Sequence, residues 1–176
     1  MINHLLYDLG NPANIGGIIR LIHVLGGKDS HLYIFDPRAN LTTYEREISK
    51  ASTGLYPNPK VNQIDNIDTF LNGYQGRKIA TQITPRATKL TYFKFQLNDL
   101  VIYGNENRGI PQQIIDQAQE SIIIPMLGQT YRLPRPDRPV AENYGEHPNL
   151  NVAHAAAIIA YEALKQTGSF EDFKLE

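Results

Sequence analysis

Residues 99–111 read Asp-Leu-Val-Ile-Tyr-Gly-Asn-Glu-Asn-Arg-Gly-Ile-Pro. The run 100–103 is short, apolar and rich in β-branched and aromatic side chains, and Gly104 closes it, which predicts a strand buried on both faces. Pro111 predicts the start of a helix over 111–118, because proline fits the first helical turn, where no N–H is needed. Between strand and helix lies a polar loop held by rigid elements on either side, the usual setting for binding residues.

Outward from this unit the same alternation repeats. Residues 2–7 predict a first strand, ended by the turn-forming Asp8, Gly10, Asn11 and Pro12. Ile15, Ile18, Ile19 and Ile22 recur at spacings of three and four and predict a helix that starts at Asn14, with this asparagine as its N-cap, and stops at Gly26-Gly27. Residues 31–35 read as a strand and 36–60 as loop with one helical piece. Ile64, Ile67 and Leu71 read as a helix face, 78–83 as a strand, and 121–124 as a last strand before Pro125. A helix from about Leu150 places Val152, Ala155, Ala156, Ile159 and Ala163 on one face. Strands alternating with helices predict a single α/β domain over 1–176, a mostly parallel sheet flanked by helices, with ligands at the carboxyl ends of its strands. Residues 127–148 break the pattern: with Pro134, Pro136, Pro139 and Pro148 among mixed charges, they read as a proline-rich loop insertion long enough to imply a role.

Hydrophobic residues make up 41% and charged residues 20% of the 176, a globular composition that excludes a disordered chain. There is no cysteine, which excludes disulfides and thiolate metal sites, and no Ser/His/Asp constellation or metal-ligand cluster emerges, so no metal is expected. A polar opening segment and the lack of any apolar run near the ~18 residues needed to span a bilayer predict a cytoplasmic protein with no membrane partner. The formal charge of −1 leaves nucleic-acid binding to local patches. Arg132, Arg135 and Arg138 form one, and Arg77, Lys78, Arg86, Lys89 and Lys94 a looser second.

Three segments carry chemistry. Asn14-Ile-Gly-Gly-Ile-Ile-Arg20 places an amide, two glycines and a guanidinium on the opening turns of the first helix. Glycine there lets another backbone approach, and helix-start amides attract anions. Gly104-Asn-Glu-Asn-Arg-Gly-Ile-Pro111 adds Glu106 and Arg108, and it is neither a dinucleotide fingerprint nor a lysine-bearing phosphate loop. The third segment is split into Ile123-Ile-Pro-Met126 and Asn149-Leu-Asn-Val-Ala-His-Ala-Ala-Ala157, where Asn149 and Asn151 can cap a helix or bond a ligand, and His154 reads as a helix-packing residue.

In this order and spacing the three segments resemble the SPOUT superfamily of RNA methyltransferases, and within it the SpoU/TrmH-like ribose 2′-O-methyltransferases. Asn14, Gly16 and Arg20 match the first family motif, Gly104, Glu106, Gly109, Ile110 and Pro111 the second, and Ile124, Pro125, Met126, Leu150, Asn151 and Val152 the third. Asn149 stands where the family has serine, and the loop from Met126 to Asn149 is longer than the family pattern.

The resemblance implies a C-terminal trefoil knot and a homodimer. It implies S-adenosylmethionine as cofactor, cradled around Thr81, Gly104, Asn105, Glu106, Gly109, Ile124, Met126, Asn149 and Leu150. It implies Arg20, Asn14, Glu106 and Asn151 as the catalytic set, and Arg20 and Arg108 as RNA contacts, to which the local charge adds Arg132, Arg135 and Arg138. The expected reaction is 2′-O-ribose methylation of RNA, of tRNA before rRNA. A catalytically silent knotted RNA-binding protein and a base-nitrogen methyltransferase stay open as alternatives.

Overall fold

A computed structural model describes residues 1–26, 30–58, 60–82, 84, 86–128 and 150–170. Its elements are β1 (Asn3–Tyr7), α1 (Pro12–Leu25), β2 (Leu32–Phe35), α2 (Asn40–Thr43), α3 (Glu45–Ala51), β3 (Val61–Ile64), α4 (Ile67–Gly73), β4 (Lys78–Ala80), β5 (Thr88–Lys89), β6 (Leu100–Tyr103), α5 (Gln112–Ile115), β7 (Glu120–Ile123) and α6 (Val152–Gln166). The strands form a seven-stranded sheet in the order β3-β2-β1-β6-β4-β7-β5, and every pair is parallel. All the carboxyl ends therefore lie along one edge.

Alternate residues of the central strands enter different cores, as a sheet covered on both faces requires. Leu6, Ile79, Val101 and Tyr103 join Ile15, Ile18, Ile19 and Ile22 of α1, Ile48 of α3 and Ala156, Ile159 and Ala163 of α6 on one face. Leu5, Ala80, Leu100 and Ile102 join Ile67 and Leu71 of α4 and Ile114 of α5 on the other. A Cβ on Gly16 would stand 2.6 Å from both the Ile48 carbonyl oxygen and the Ala51 Cβ, while one on Gly17 would reach the Ala153 Cβ at 3.8 Å. Gly16 thus lets α3 seat directly against α1, which requires a residue without a Cβ, whereas at Gly17 the approach of α6 leaves room for one.

Several expectations change. Ile64 ends a strand, β3, instead of starting a helix; short and half-polar, this segment is extended because it pairs with β2 at the sheet edge. Residues 36–60 hold two helices, α2 and α3, where one piece was expected. The 111–118 helix shortens to α5, and β5 pairs with β7 although only Thr88 and Lys89 form it. His154 is exposed, so it does not pack the helix. Arg77, part of the looser basic set, faces the opposite edge, where it forks onto buried Asp99 at 2.9 and 2.7 Å and lies over the Phe93 ring. Lys78 turns its Nζ onto the Leu71 carbonyl.

Candidate functional site

β1 and β6 are neighbours, yet β1 leads to β2 on one side while β6 belongs to the half of the sheet on the other. Such a reversal of direction opens a crevice at the carboxyl ends. Two loops meet there: residues 8–11 after β1, and residues 104–111 after β6.

The second loop is shaped by its glycines. A Cβ on Gly104 would lie 2.4 Å from the Gly109 carbonyl carbon, and Gly109 has φ +69°, a conformation that favours glycine. Asn105 and Gly109 exchange backbone hydrogen bonds at 3.1 and 2.8 Å, closing the loop on itself. Buried Asn105 spends its side chain on scaffolding: its amide donates to the Asp8 carbonyl at 2.6 Å, and its oxygen accepts from the Asn107 and Arg108 N–H groups.

This closure projects Glu106 across the crevice. One carboxylate oxygen accepts from the Gly10 N–H at 3.0 Å, the other from the Asn11 N–H at 3.2 Å and the Asn14 amide at 2.8 Å. Burial alone would raise the Glu106 pKa, but these donors outweigh it and hold the carboxyl below its ordinary value. Asn14 is not the N-cap of α1. Pro12 occupies the first helical turn, so Asn11 caps, accepting from the Ala13 N–H at 2.9 Å, and Asn14 sits one turn inside, buried. Its oxygen in turn accepts from the Asn151 amide at 2.8 Å, while Asn151 caps α6 by accepting from Ala153 and His154. A relay Glu106–Asn14–Asn151 therefore ties three segments, distant in sequence, into one polar cluster. Arg20 lies farther along α1, exposed and without a hydrogen-bond partner among the described residues.

The remaining predicted residues separate. Thr81 closes β4 onto β6 through its hydroxyl, which donates to the Ile102 carbonyl at 2.8 Å. Ile124 packs partly buried against the core that also holds Val152 and Ala153. Met126 is half-buried, Leu150 is 39% exposed and Leu127 wholly so. Arg108 pairs with Asp8 at 2.6 Å and leaves 64% of its side chain exposed. Asn149, Arg132, Arg135 and Arg138 lie outside the described residues. The sequence reading missed Asp8, taken there for a turn former: it has φ +53°, is buried, and receives Arg38 as well as Arg108. Its only sequence signal is a carboxylate directly after a strand, which a turn also explains.

The carboxyl ends of β6, β4 and β7 thus bring Gly104, Thr81 and Ile124 side by side, while Met126, after β7, and Leu150, before α6, are partly exposed apolar side chains. Such a mixture suits a flat heteroaromatic ring, bound by stacking and main-chain hydrogen bonds.

The chain is 25% identical over 170 residues to the tRNA (cytidine(34)-2′-O)-methyltransferase of Aeromonas hydrophila, covering 96% of each chain. It is equally similar to the Escherichia coli protein of the same name, covering 96% of this chain and 95% of that one. A solved structure concerned with 2-OH methylation of C/U34 on tRNA matches with a TM-score of 0.74 at 24% identity, over 96% of this chain and 97% of that one. The SpoU methyltransferase AviRb from Streptomyces viridochromogenes, in complex with the cofactor AdoMet, matches with a TM-score of 0.73 at 24% identity, over 95% of this chain and 60% of that one. These two structures establish the shared fold. The SpoU rRNA methylase family pattern matches residues 1–133, which contain the α1 motif, the Gly104–Pro111 loop and Met126, and the chain belongs to that family.

Proposed function

We propose that this protein is an S-adenosylmethionine-dependent RNA methyltransferase that methylates a ribose 2′-hydroxyl of tRNA. The observation that carries the reading is the Glu106–Asn14–Asn151 relay, which joins all three motif segments beside the crevice and sets Arg20 on the same helix as Asn14. Gly104, Ile124, Met126 and Leu150, with Thr81 holding β4 behind them and Asn149 after the loop, are the residues that would hold the cofactor. The residues fit such a group: Ile124, Met126 and Leu150 are apolar and only partly buried, and Gly104 presents main chain without a Cβ. The cofactor supplies an electrophilic methyl group.

The protein's part is positioning and charge relief, since a methyl acceptor must lie in line with the bond that breaks. Arg20 orients the ribose and its phosphate and stabilises the developing alkoxide; a guanidinium stays protonated in proteins, so it is not the proton acceptor. Asn14, fixed from both sides, shapes the pocket beside it. Glu106 and Asn151 hold the loops in register. The single domain over 1–176 has its C-terminal part threaded as a trefoil knot, and Arg132, Arg135 and Arg138 contact RNA. Two copies associate into a homodimer; the packed pair α1 and α6 leaves Val24, Ile158 and Tyr161 exposed, which supports it. The protein works in the cytoplasm, and among the described residues no helix is long and apolar enough to cross a membrane.

The test is Arg20→Ala, assayed by transfer of labelled methyl groups to unmodified tRNA and by digestion of the product to nucleosides. Turnover falls by roughly 10²–10³, the usual cost of one lost charge-stabilising donor. Calorimetric binding of S-adenosylmethionine stays within about twofold. A variant as active as the parent refutes the role of Arg20, and a base-methylated product refutes ribose as acceptor.

A further inference from the structure

We propose that Arg38 and Arg108, both anchored on the buried carboxylate of Asp8, form a paired guanidinium grip for a backbone phosphate of the RNA. The inference rests on the RNA methyltransferase reading and adds to the expected Arg108 contact a second arginine that none of the three motifs contains, since Arg38 lies in the loop after β2.

Three observations converge. The first is geometric. β2, β1 and β6 are adjacent in the sheet, so the loop after each reaches the same edge. Arg38 donates from Nε to one Asp8 oxygen and Arg108 from Nη2 to the other, both at 2.6 Å. Arg38 also donates from Nη2 to the Asp8 carbonyl at 2.8 Å. Gly10 keeps this space open: a Cβ there would stand 3.1 Å from Arg38 Nη2.

The second is charge. Two guanidinium groups share one carboxylate, leaving one positive charge uncompensated within the trio. A structural tie needs only one arginine.

The third is exposure. The Asp8 side chain is 10% exposed, whereas the Arg38 and Arg108 side chains are 43% and 64% exposed. Arg38 Nη1 and Arg108 Nε and Nη1 have no acceptor among the described residues. Donors already oriented by a buried carboxylate lose little freedom on meeting an anion, and planar guanidinium groups match phosphate oxygens two at a time. The grip also sits at the crevice, because Glu106, two residues before Arg108, accepts from Gly10, two residues after Asp8.

The experiment compares the parent, Arg38→Gln, Arg108→Gln and the triple variant Asp8→Asn/Arg38→Gln/Arg108→Gln, which leaves no buried carboxylate unpaired. Unmodified tRNA binding is titrated against KCl, alongside steady-state kinetics, S-adenosylmethionine binding and thermal unfolding. Losing one phosphate contact lowers the slope of log K against log[salt] by roughly 0.7–0.9, or about sixfold in affinity near 0.1 M salt. Each single variant shows that drop with a raised KM for tRNA, kcat nearly kept and cofactor binding unchanged. Arg→Lys at either position restores the slope in part, because charge returns without the fork. If the parent methylates tRNA and the triple variant, still folded, matches its salt slope and KM, the grip is refuted and the enzyme assignment stands. If the parent neither binds nor methylates tRNA, both fall.

Discussion

Replacing Glu106 with glutamine changes almost no volume and tests whether the relay is held by charge. In the native site one carboxylate oxygen takes two donors, the Asn11 N–H and the Asn14 amide, and the other takes the Gly10 N–H. Glutamine offers one acceptor. Its best orientation keeps the oxygen toward Asn11 and Asn14 and turns an NH₂ group toward the Gly10 N–H, donor against donor. Hydrogen bonds to a charged group contribute about 1.5–3 kcal/mol each and neutral ones about 1. Losing one and weakening two, with water relieving part of the loss at this half-buried position, gives about 2–3 kcal/mol. For a domain of this size that corresponds to a Tm lower by roughly 4–12 °C.

Urea unfolding at pH 7 measures the loss directly, and a cycle with Asn14→Ala isolates the relay, since the two losses should fall short of additive by about 1 kcal/mol. The pH dependence has a definite sign. The Glu106 carboxyl titrates below its ordinary value of 4.5, so its contribution is complete above that pH and disappears as the pH falls through the lower, folded value. The glutamine variant lacks that acid limb. A variant within 0.5 kcal/mol of the parent, or losses that simply add, would refute the charge-held relay.

Other perturbations probe the frame around the site. Asp99→Asn strips the charge from a 1%-exposed carboxylate that holds Arg77 and the Gln96 N–H, and destabilises by about 3 kcal/mol in urea unfolding, the low end for a buried pair because Arg77 is 26% exposed. Gly16→Ala pushes a methyl group into α3 and costs about 1–3 kcal/mol, whereas Gly17→Ala, inside α1 with 3.8 Å to its nearest neighbour, is neutral or stabilising by up to about 1 kcal/mol in the same assay. His4 is buried beside Tyr103, and burial lowers its pKa to about 3, so it stays neutral in the fold while the unfolded chain protonates below about 6.5. Stability therefore declines by about 1.4 kcal/mol per pH unit from pH 6.5 downward through this one residue, and His4→Gln removes that slope; an unchanged acid limb would exclude His4 as its source.

Much of the architecture is legible in the amino-acid sequence. Isoleucines at helical spacing in residues 15–22, the apolar run 100–103 and the alanine-rich stretch after Asn151 are local patterns, and each became α1, β6 and α6 near the expected boundaries. β3 and β5 were not legible, because four and two residues carry too little periodicity and only pairing with β2 and β7 makes them extended. The N-cap moved from Asn14 to Asn11 for a local reason, Pro12, yet its consequence is tertiary: it frees the Asn14 amide to meet residues 92 and 137 positions away.

The amino-acid sequence by itself determined the α/β class, the three motif segments and the glycines that let backbones meet, since these follow from periodicity and from the steric limits on residues with a Cβ. Only the tertiary structure decided which polar groups find one another. Asp8 read as a turn and is the anchor of two arginines; Arg77 read as a surface cation and is locked on Asp99. A charged side chain carries no sequence mark of its partner, because the pairing energy depends on distance and burial, and both are set when the parallel sheet brings the ends of β2, β1 and β6 side by side.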